Sequence, residues 1–144
     1  MTSVSTHILD TTRGRPAAGV PIALDTWADG GWQRLGESVT GTDGRTSALP
    51  AFDLPGPPDL PGPPDLPGPP GLPAPPGLHG PSDPASPPGR ATCRLVFAVG
   101  DYLVAHHGVA FFPEITVVFA AEPGEHYHVP LLLAPYGYSV YRGS

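Results

Sequence analysis

A proline-rich segment divides this chain, and it constrains the fold more than any other feature of the sequence. Residues 50–89 hold 17 of the 23 prolines and 7 of the 19 glycines. The unit Leu-Pro-Gly-Pro-Pro-Asp fills 54–59 and 60–65, and altered copies fill 66–71 and 72–77. Proline has no backbone N–H to donate, so its density here predicts polyproline II with turns and leaves few donors for a sheet. Its repeat places glycine at every sixth position rather than every third, which excludes a collagen triple helix.

The rest of the chain is sufficient for one compact domain. We interpret residues 1–144 as a single domain with a low-complexity insert at about 51–89, which leaves about 100 residues to bury one core. The insert is either a ligand for proline-recognising domains or a solvated loop. No basic residue lies in it before Arg90 to orient such a ligand, which favours the loop.

Charge excludes several classes of partner and chemistry. The net charge is −6, and the insert contributes four acidic residues and no basic one, which leaves −2 for the remainder. Nucleic acids and anionic membranes need a basic surface, so neither is an expected partner. All seven basic residues are arginine, which excludes chemistry that depends on a lysine amine. No signal peptide or membrane-spanning run is visible, so we expect a cytoplasmic protein.

Short stretches of alternating apolar and polar residues flank the insert and predict strands with one buried face. Three such stretches cover 20–25, 92–99 and 114–119, and glycine-containing turns separate them. One short helix is predicted at about 101–107, with Asp101 as its N-cap and Gly108 as its end. Seven to eight short strands with one helix predict an all-β, two-sheet sandwich. Cys93 lies on an apolar face, so we expect a buried and inert thiol.

Two histidines on one strand are the leading candidates for chemistry. His126 and His128 share a face of the stretch 126–133 with Pro130 and Leu132, and the opposite face is the apolar one. From spacing alone a metal site, a catalytic base and an ordinary surface remain equally open. The pair His106-His107 ends the predicted helix, where cations are favourable without any further role. Ser38 misses the spacing of a nucleophile elbow by one residue, so it is a weak candidate.

Motifs at both ends of the domain resemble those of the transthyretin-like hydrolases, the 5-hydroxyisourate hydrolase family. The resemblance covers about 1–50 and 90–144. It rests on these motifs: Ser5-Thr6-His7-Ile8-Leu9-Asp10, Gly14-Arg15-Pro16-Ala17-Ala18-Gly19, Thr42-Asp43-Gly44-Arg45, Phe111-Phe112-Pro113-Glu114-Ile115, His126-Tyr127-His128-Val129-Pro130-Leu131-Leu132 and Tyr141-Arg142-Gly143-Ser144. The terminal tetrapeptide is the motif that distinguishes these hydrolases from transthyretin itself. The proline-rich insert is the main departure from the family pattern.

The resemblance implies a transthyretin-like sandwich assembled as a homotetramer, with sites in a channel between dimers. The implied reaction is the hydrolysis of 5-hydroxyisourate to 2-oxo-4-hydroxy-4-carboxy-5-ureidoimidazoline in urate catabolism, a cyclic amide hydrolysis without metal or other cofactor. The family's catalytic set falls on His7, Arg45 and His128. Its substrate-lining positions fall on Tyr141, Arg142, Gly143 and Ser144, while His126 matches a family position without an assigned role.

The implied reaction needs a base for water and a cation for the developing oxyanion, which suits imidazole and guanidinium side chains. The sequence leaves open which histidine is the base. Two alternatives remain: a transthyretin-like carrier that binds a small ligand without turnover, and an interaction protein that works through its proline-rich segment.

Overall fold

Eight strands and one helix make up the secondary structure of the computed structural model, which describes residues 1–46, 49–53 and 90–143. The strands are β1 (Ser3–Asp10), β2 (Arg15–Pro16), β3 (Pro21–Ala28), β4 (Gly31–Val39), β5 (Ala91–Phe97), β6 (Ile115–Ala121), β7 (His126–Ala134) and β8 (Gly137–Val140), and the helix is α1 (Gly100–His107). The hexapeptide repeat falls outside the described residues, so the predicted insert and domain organisation stay predictions. Within the described ranges, no helix has the length and apolar character needed to cross a bilayer.

The strands form two four-stranded sheets. One has the order β2-β1-β7-β8 and the other the order β4-β3-β5-β6. Strands β1 and β7 pair in parallel, whereas all the other pairs of strands are antiparallel. The core lies between the sheets, and its fully buried side chains include Ile8, Leu24, Leu95, Phe97 and Leu131. The predicted all-β, two-sheet sandwich with one short helix is therefore confirmed.

Strand β1 shows how the alternating pattern separates the core from the outer surface. Its side chains alternate between half-buried and buried along all eight residues. Val4, Thr6 and Ile8 face the core, whereas Ser5 and His7 point to the outer side of the sheet. The strand thus anchors the sandwich through one face and offers polar side chains on the other.

Helix α1 begins differently from the sequence prediction. Val99 occupies the N-cap position without a side-chain hydrogen bond, and Asp101 lies in the first turn, so the predicted Asp101 cap is wrong. In the first turn its carboxylate still interacts favourably with the positive end of the helix dipole. The predicted end is confirmed, because Gly108 adopts a left-handed conformation with φ 74° and donates its N–H to the carbonyl of Val104 at 3.0 Å.

Strand β3 departs from the prediction of a single buried face. Asp25 belongs to the outer face, yet only 1% of its surface is exposed. Arg34 from β4 and Arg94 from β5 both pair with its carboxylate, Arg94 at 2.7 Å. Trp32 covers the Arg94 guanidinium, whose central carbon lies 4.4 Å from the ring centroid. Two neighbouring arginines can therefore bury a carboxylate that the alternation would expose.

A second buried carboxylate joins the helix to the first sheet. Asp10 Oδ2 accepts hydrogen bonds from the Tyr102 hydroxyl at 2.9 Å and pairs with His107 Nε2 at 2.7 Å. Burial alone would raise the pKa of Asp10, but the hydrogen bonds from His107, the Arg13 backbone and Tyr102 outweigh it and lower the pKa below its usual value. The helix-end histidine, for which the sequence indicated only a dipole interaction, is thus also a structural partner of Asp10.

Candidate active site

The outer face of β1 and β7 gathers the candidate histidines. The parallel register places Ser3 beside His126, Ser5 beside His128 and His7 beside Pro130. Because partners in a sheet ladder project from the same side, these side chains share one surface. His126 is exposed and His128 is half-buried, while the intervening Tyr127 is buried. The predicted orientation of β7 is therefore confirmed for both histidines.

Pro130 differs from its neighbours on that face because it is buried. The segment that follows β8 crosses over it: the Gly143 N–H donates to the carbonyl of His128 at 2.7 Å. A Cβ atom built on Gly143 would lie 2.7 Å from Cδ2 of His128 and 3.3 Å from Cγ of Pro130. The absence of a side chain at Gly143 therefore allows this backbone to lie directly against the histidine ring.

Arg45 reaches the same surface through a main-chain contact. The loop before it runs alongside β1, where the Ile8 N–H donates to the Gly44 carbonyl at 2.9 Å and Arg45 forms an isolated bridge with His7. Gly44 has φ +75°, and a Cβ there would lie 2.5 Å from the Ile8 carbonyl oxygen. Only glycine combines this positive φ with so close an approach to the backbone of β1, so Gly44 fixes the position of Arg45 beside His7.

His7 has a buried nitrogen without a hydrogen-bond partner. Nε2 of His7 and Oγ1 of Thr46 are the two buried side-chain polar atoms without a partner among the described residues. A buried polar group without a partner costs about 1–3 kcal/mol, so most such groups in native proteins are paired. An unpaired imidazole nitrogen beside an arginine is suited to meet a polar ligand.

His128 is held in its neutral form. Burial lowers the pKa of His128, and the charges of Arg45, His7 and His126 lower it further. Each of these causes disfavours the imidazolium ion. The imidazole is consequently a free base at neutral pH, as proton abstraction requires.

The four C-terminal candidates are placed differently. Gly143 lies against His128, as described above. The central guanidinium carbon of Arg142 lies 4.9 Å from the centroid of the Tyr127 ring, a core-side residue, and so on the other side of β7 from His128. Tyr141 is exposed and, with Arg142, lines a cavity between β6 and β7. Ser144 lies outside the described residues.

The other candidates from the sequence lie away from this surface. Ser38 is half-buried on β4, in the opposite sheet. Cys93 is fully buried, which confirms its predicted position in the core, and burial raises the pKa of its thiol to about 11. Among the described residues, no three His, Cys, Asp or Glu side chains are grouped to hold a metal ion.

Two serines on β1 belong to the site and were missed by sequence reasoning. The Ser5 hydroxyl lies 2.8 Å from Nδ1 of His128 and 3.1 Å from Nε2 of His126. The Ser3 hydroxyl lies 2.6 Å from Nδ1 of His126. Their alternation with the buried residues of β1 was visible in the sequence, but the parallel pairing that brings them to the histidines was not.

The chain is similar to known proteins in sequence and in fold. The model of the HIUase/Transthyretin family matches residues 4–143. The 5-hydroxyisourate hydrolase of Salmonella dublin is 37% identical over 142 residues, which cover 98% of this chain and 80% of that protein. The structure of Klebsiella pneumoniae 5-hydroxyisourate hydrolase matches with a TM-score of 0.65 and 26% identity over 99% of both chains. Sea bream transthyretin in complex with thyroxine matches with a TM-score of 0.68 and 23% identity, over 97% of this chain and 93% of that one, and shares the fold.

Proposed function

We propose that His7, Arg45 and His128 form the active site of this chain, which belongs to the HIUase/Transthyretin family and hydrolyses 5-hydroxyisourate in urate catabolism. One observation carries the assignment of roles: His7 presents a buried, unpaired Nε2 where Arg45 and the neutral His128 also lie. A base, a cation and an unpaired imidazole are the groups that water attack on a ring carbonyl requires.

His128 acts as the general base. Its imidazole removes a proton from water as the water oxygen attacks the ring carbonyl carbon. The lowered pKa of His128 keeps the base form available at neutral pH. Near-neutral pKa values suit such a group, because the base is free yet still able to accept a proton.

Arg45 and His7 act on the substrate itself. The Arg45 guanidinium stabilises the negative charge that develops on the carbonyl oxygen. His7 directs its unpaired Nε2 towards a polar atom of the substrate. When the C–N bond breaks, Nε2–H protonates the leaving ring nitrogen while Nδ1 takes up a proton from solvent, so the imidazole stays neutral. The product is 2-oxo-4-hydroxy-4-carboxy-5-ureidoimidazoline. The roles require no metal ion, so we assign the enzyme to the metal-independent cyclic amide hydrolases.

The terminal residues Tyr141, Arg142, Gly143 and Ser144 complete the lining of the site in a cytoplasmic homotetramer. The contact of Gly143 with His128 supports this part of the proposal. The position of Arg142 over Tyr127 requires that its guanidinium turn towards the substrate when the protein assembles.

An ultraviolet assay tests the proposed function. 5-Hydroxyisourate is generated from urate with urate oxidase, and its decay is followed with this protein and with buffer alone. His7→Asn, Arg45→Gln and His128→Asn should each lower turnover by about 10²-fold or more, the usual scale for a lost base or oxyanion contact. Circular dichroism of each variant controls for folding.

Two results contradict the proposal. The absence of any acceleration by the unmodified protein would remove the hydrolase activity and favour a carrier that binds without turnover. A His128→Asn variant with more than about half the normal rate would remove the general-base assignment.

A further inference from the structure

Four polar side chains form a continuous line of hydrogen bonds across the strand pair β1 and β7. Ser3 contacts Nδ1 of His126 at 2.6 Å, Nε2 of His126 contacts Ser5 at 3.1 Å, and Ser5 contacts Nδ1 of His128 at 2.8 Å. The parallel register produces this line because Ser3 faces His126 and Ser5 faces His128. The Ser5 hydroxyl is the only link in the line between the two histidines.

A serine hydroxyl has one proton to donate and can accept others, so Ser5 couples the two rings. When Ser5 donates to Nδ1 of His128, it accepts from Nε2–H of His126, and His128 carries its proton on Nε2. When His128 donates Nδ1–H to Ser5, Ser5 donates to His126, and Nε2 of His128 is an unprotonated base. The direction of the line therefore sets which nitrogen of His128 is free.

We propose that Ser5 is a positioning residue that holds His128 in its basic tautomer and, with His126, carries the abstracted proton from His128 to solvent. The inference rests on the proposed function, since it concerns the base of that reaction. It assigns His126 a role, whereas the sequence resemblance assigned it none.

The relay balances in protons at each step. As the water oxygen bonds to the carbonyl carbon, one water proton passes to Nε2 of His128. The Nδ1 proton of His128 passes to the Ser5 oxygen, and the former Ser5 proton passes to Nε2 of His126. The Nδ1 proton of His126 passes through Ser3 to solvent. Each group gains and loses one proton, so no charge remains on His128.

Exposure increases from the first histidine of the relay to the second. His128 is half-buried and His126 is exposed, so the line runs from the site to water. The cationic form of His128 is disfavoured by burial and by neighbouring Arg45, which lower its pKa. A relay avoids the imidazolium ion that direct proton storage on His128 would create.

Three variants separate the relay from simple support of the ring. Ser5→Ala breaks the line, Ser5→Thr keeps the hydroxyl on a strand-compatible side chain, and His126→Gln keeps a hydrogen-bonding group that cannot pass a proton. Ser38→Ala is the matched control, because it truncates a half-buried strand serine in the opposite sheet.

We expect Ser5→Ala and His126→Gln each to lower kcat by about tenfold, at the weak end of proton-transfer effects, with KM within about twofold. The double variant should lose no more than either single variant, because both break one line. Ser5→Thr should keep at least about half the rate. Imidazole buffer should restore the kcat of Ser5→Ala by accepting the proton from His128. In mixtures of H2O and D2O, the kcat of Ser5→Ala should depend linearly on the deuterium fraction of the solvent.

Several outcomes would overturn the relay. Normal kcat in Ser5→Ala would do so, and so would a loss that imidazole does not restore, which would mean that Ser5 only supports the ring. Nitrogen-15 NMR of the histidines tests the line without any turnover: Ser5→Ala should change the tautomer balance of both His126 and His128. Unchanged signals would refute the coupling, whereas failure of the unmodified enzyme to hydrolyse 5-hydroxyisourate would refute the proposed function instead.

Discussion

Replacing Gly143 with alanine tests the contact between the C-terminal segment and His128. The added Cβ would lie 2.7 Å from Cδ2 of His128 and 3.3 Å from Cγ of Pro130. Carbon atoms are comfortable at about 3.5–4.0 Å, so the ring or the segment must move by about 1 Å. Gly143 does not have a positive φ, so its backbone accommodates alanine and the effect comes from the contact alone.

A displacement of about 1 Å in a catalytic group lowers the rate by about 10²-fold, which is our expectation for kcat/KM of Gly143→Ala. Overpacking costs about 1–3 kcal/mol in a core, and this segment lies at a half-buried surface that yields more easily. We therefore expect the unfolding free energy to fall by less than about 2 kcal/mol. The ultraviolet assay gives the rate and denaturant unfolding gives the stability.

Gly137→Ala is the matched control for this substitution. Gly137 lies in β8 of the same sheet, and a Cβ there would meet no atom within 4 Å. Its kcat/KM should stay within about twofold of the unmodified enzyme, as surface substitutions rarely perturb a structure. If Gly143→Ala also kept kcat/KM within about threefold, the C-terminal segment would not lie against His128 in the working enzyme, and the reasoning would fail.

Three further predictions concern pH, stability and the insert. Arg45→Gln removes a charge that lowers the pKa of His128, so the acid limb of its residual kcat/KM profile should move to higher pH, and a shift to lower pH would contradict the assignment. The pKa of the Asp10 carboxyl is lowered in the folded state, so the stabilisation it provides is present above about pH 4 and is lost as the pH falls further. Asp10→Asn should therefore lower the free energy of unfolding in denaturant by about 1–3 kcal/mol at pH 7 and by less near pH 3. A cost that does not depend on pH would refute this. Deleting 54–88 shortens the connection between Asp53 and Arg90, and if that connection is the predicted solvated loop, stability should change by only about 1 kcal/mol, with turnover within about twofold. Loss of the assembled state in light scattering would show that the insert is structural.

The sequence predicted the elements that depend on alternation and turn chemistry. The outward histidines of β7 and the glycine end of α1 follow from local pattern, because a period of two and a left-handed residue are encoded in neighbouring positions. The three stretches of alternation at 20–25, 92–99 and 114–119 all became strands.

Features that depend on distant residues were not predictable in the same way. The burial of Asp25 needs arginines from two neighbouring strands, and the partner of His107 lies 97 residues away at Asp10. The capping role of Asp101 was wrong because the helix begins one residue earlier, at Gly100. Ser5 became part of the site only through the register of β1 on β7, which no local pattern specifies.

The parallel pairing of β1 with β7 has a consequence for the order of folding. Ser5 and His128 are 123 residues apart in the chain, so β1 cannot find its partner until β7 has been made. At about 5–20 residues per second, β1 waits about 6–25 s on the ribosome with its apolar face uncovered. The hairpin of β3 and β4, joined by the two residues Asp29 and Gly30, needs no such delay. The pairing of β1 with β7 therefore follows the formation of this hairpin, and in refolding experiments enzymatic activity should recover after the signal of the two tryptophans, Trp27 and Trp32, that the hairpin carries.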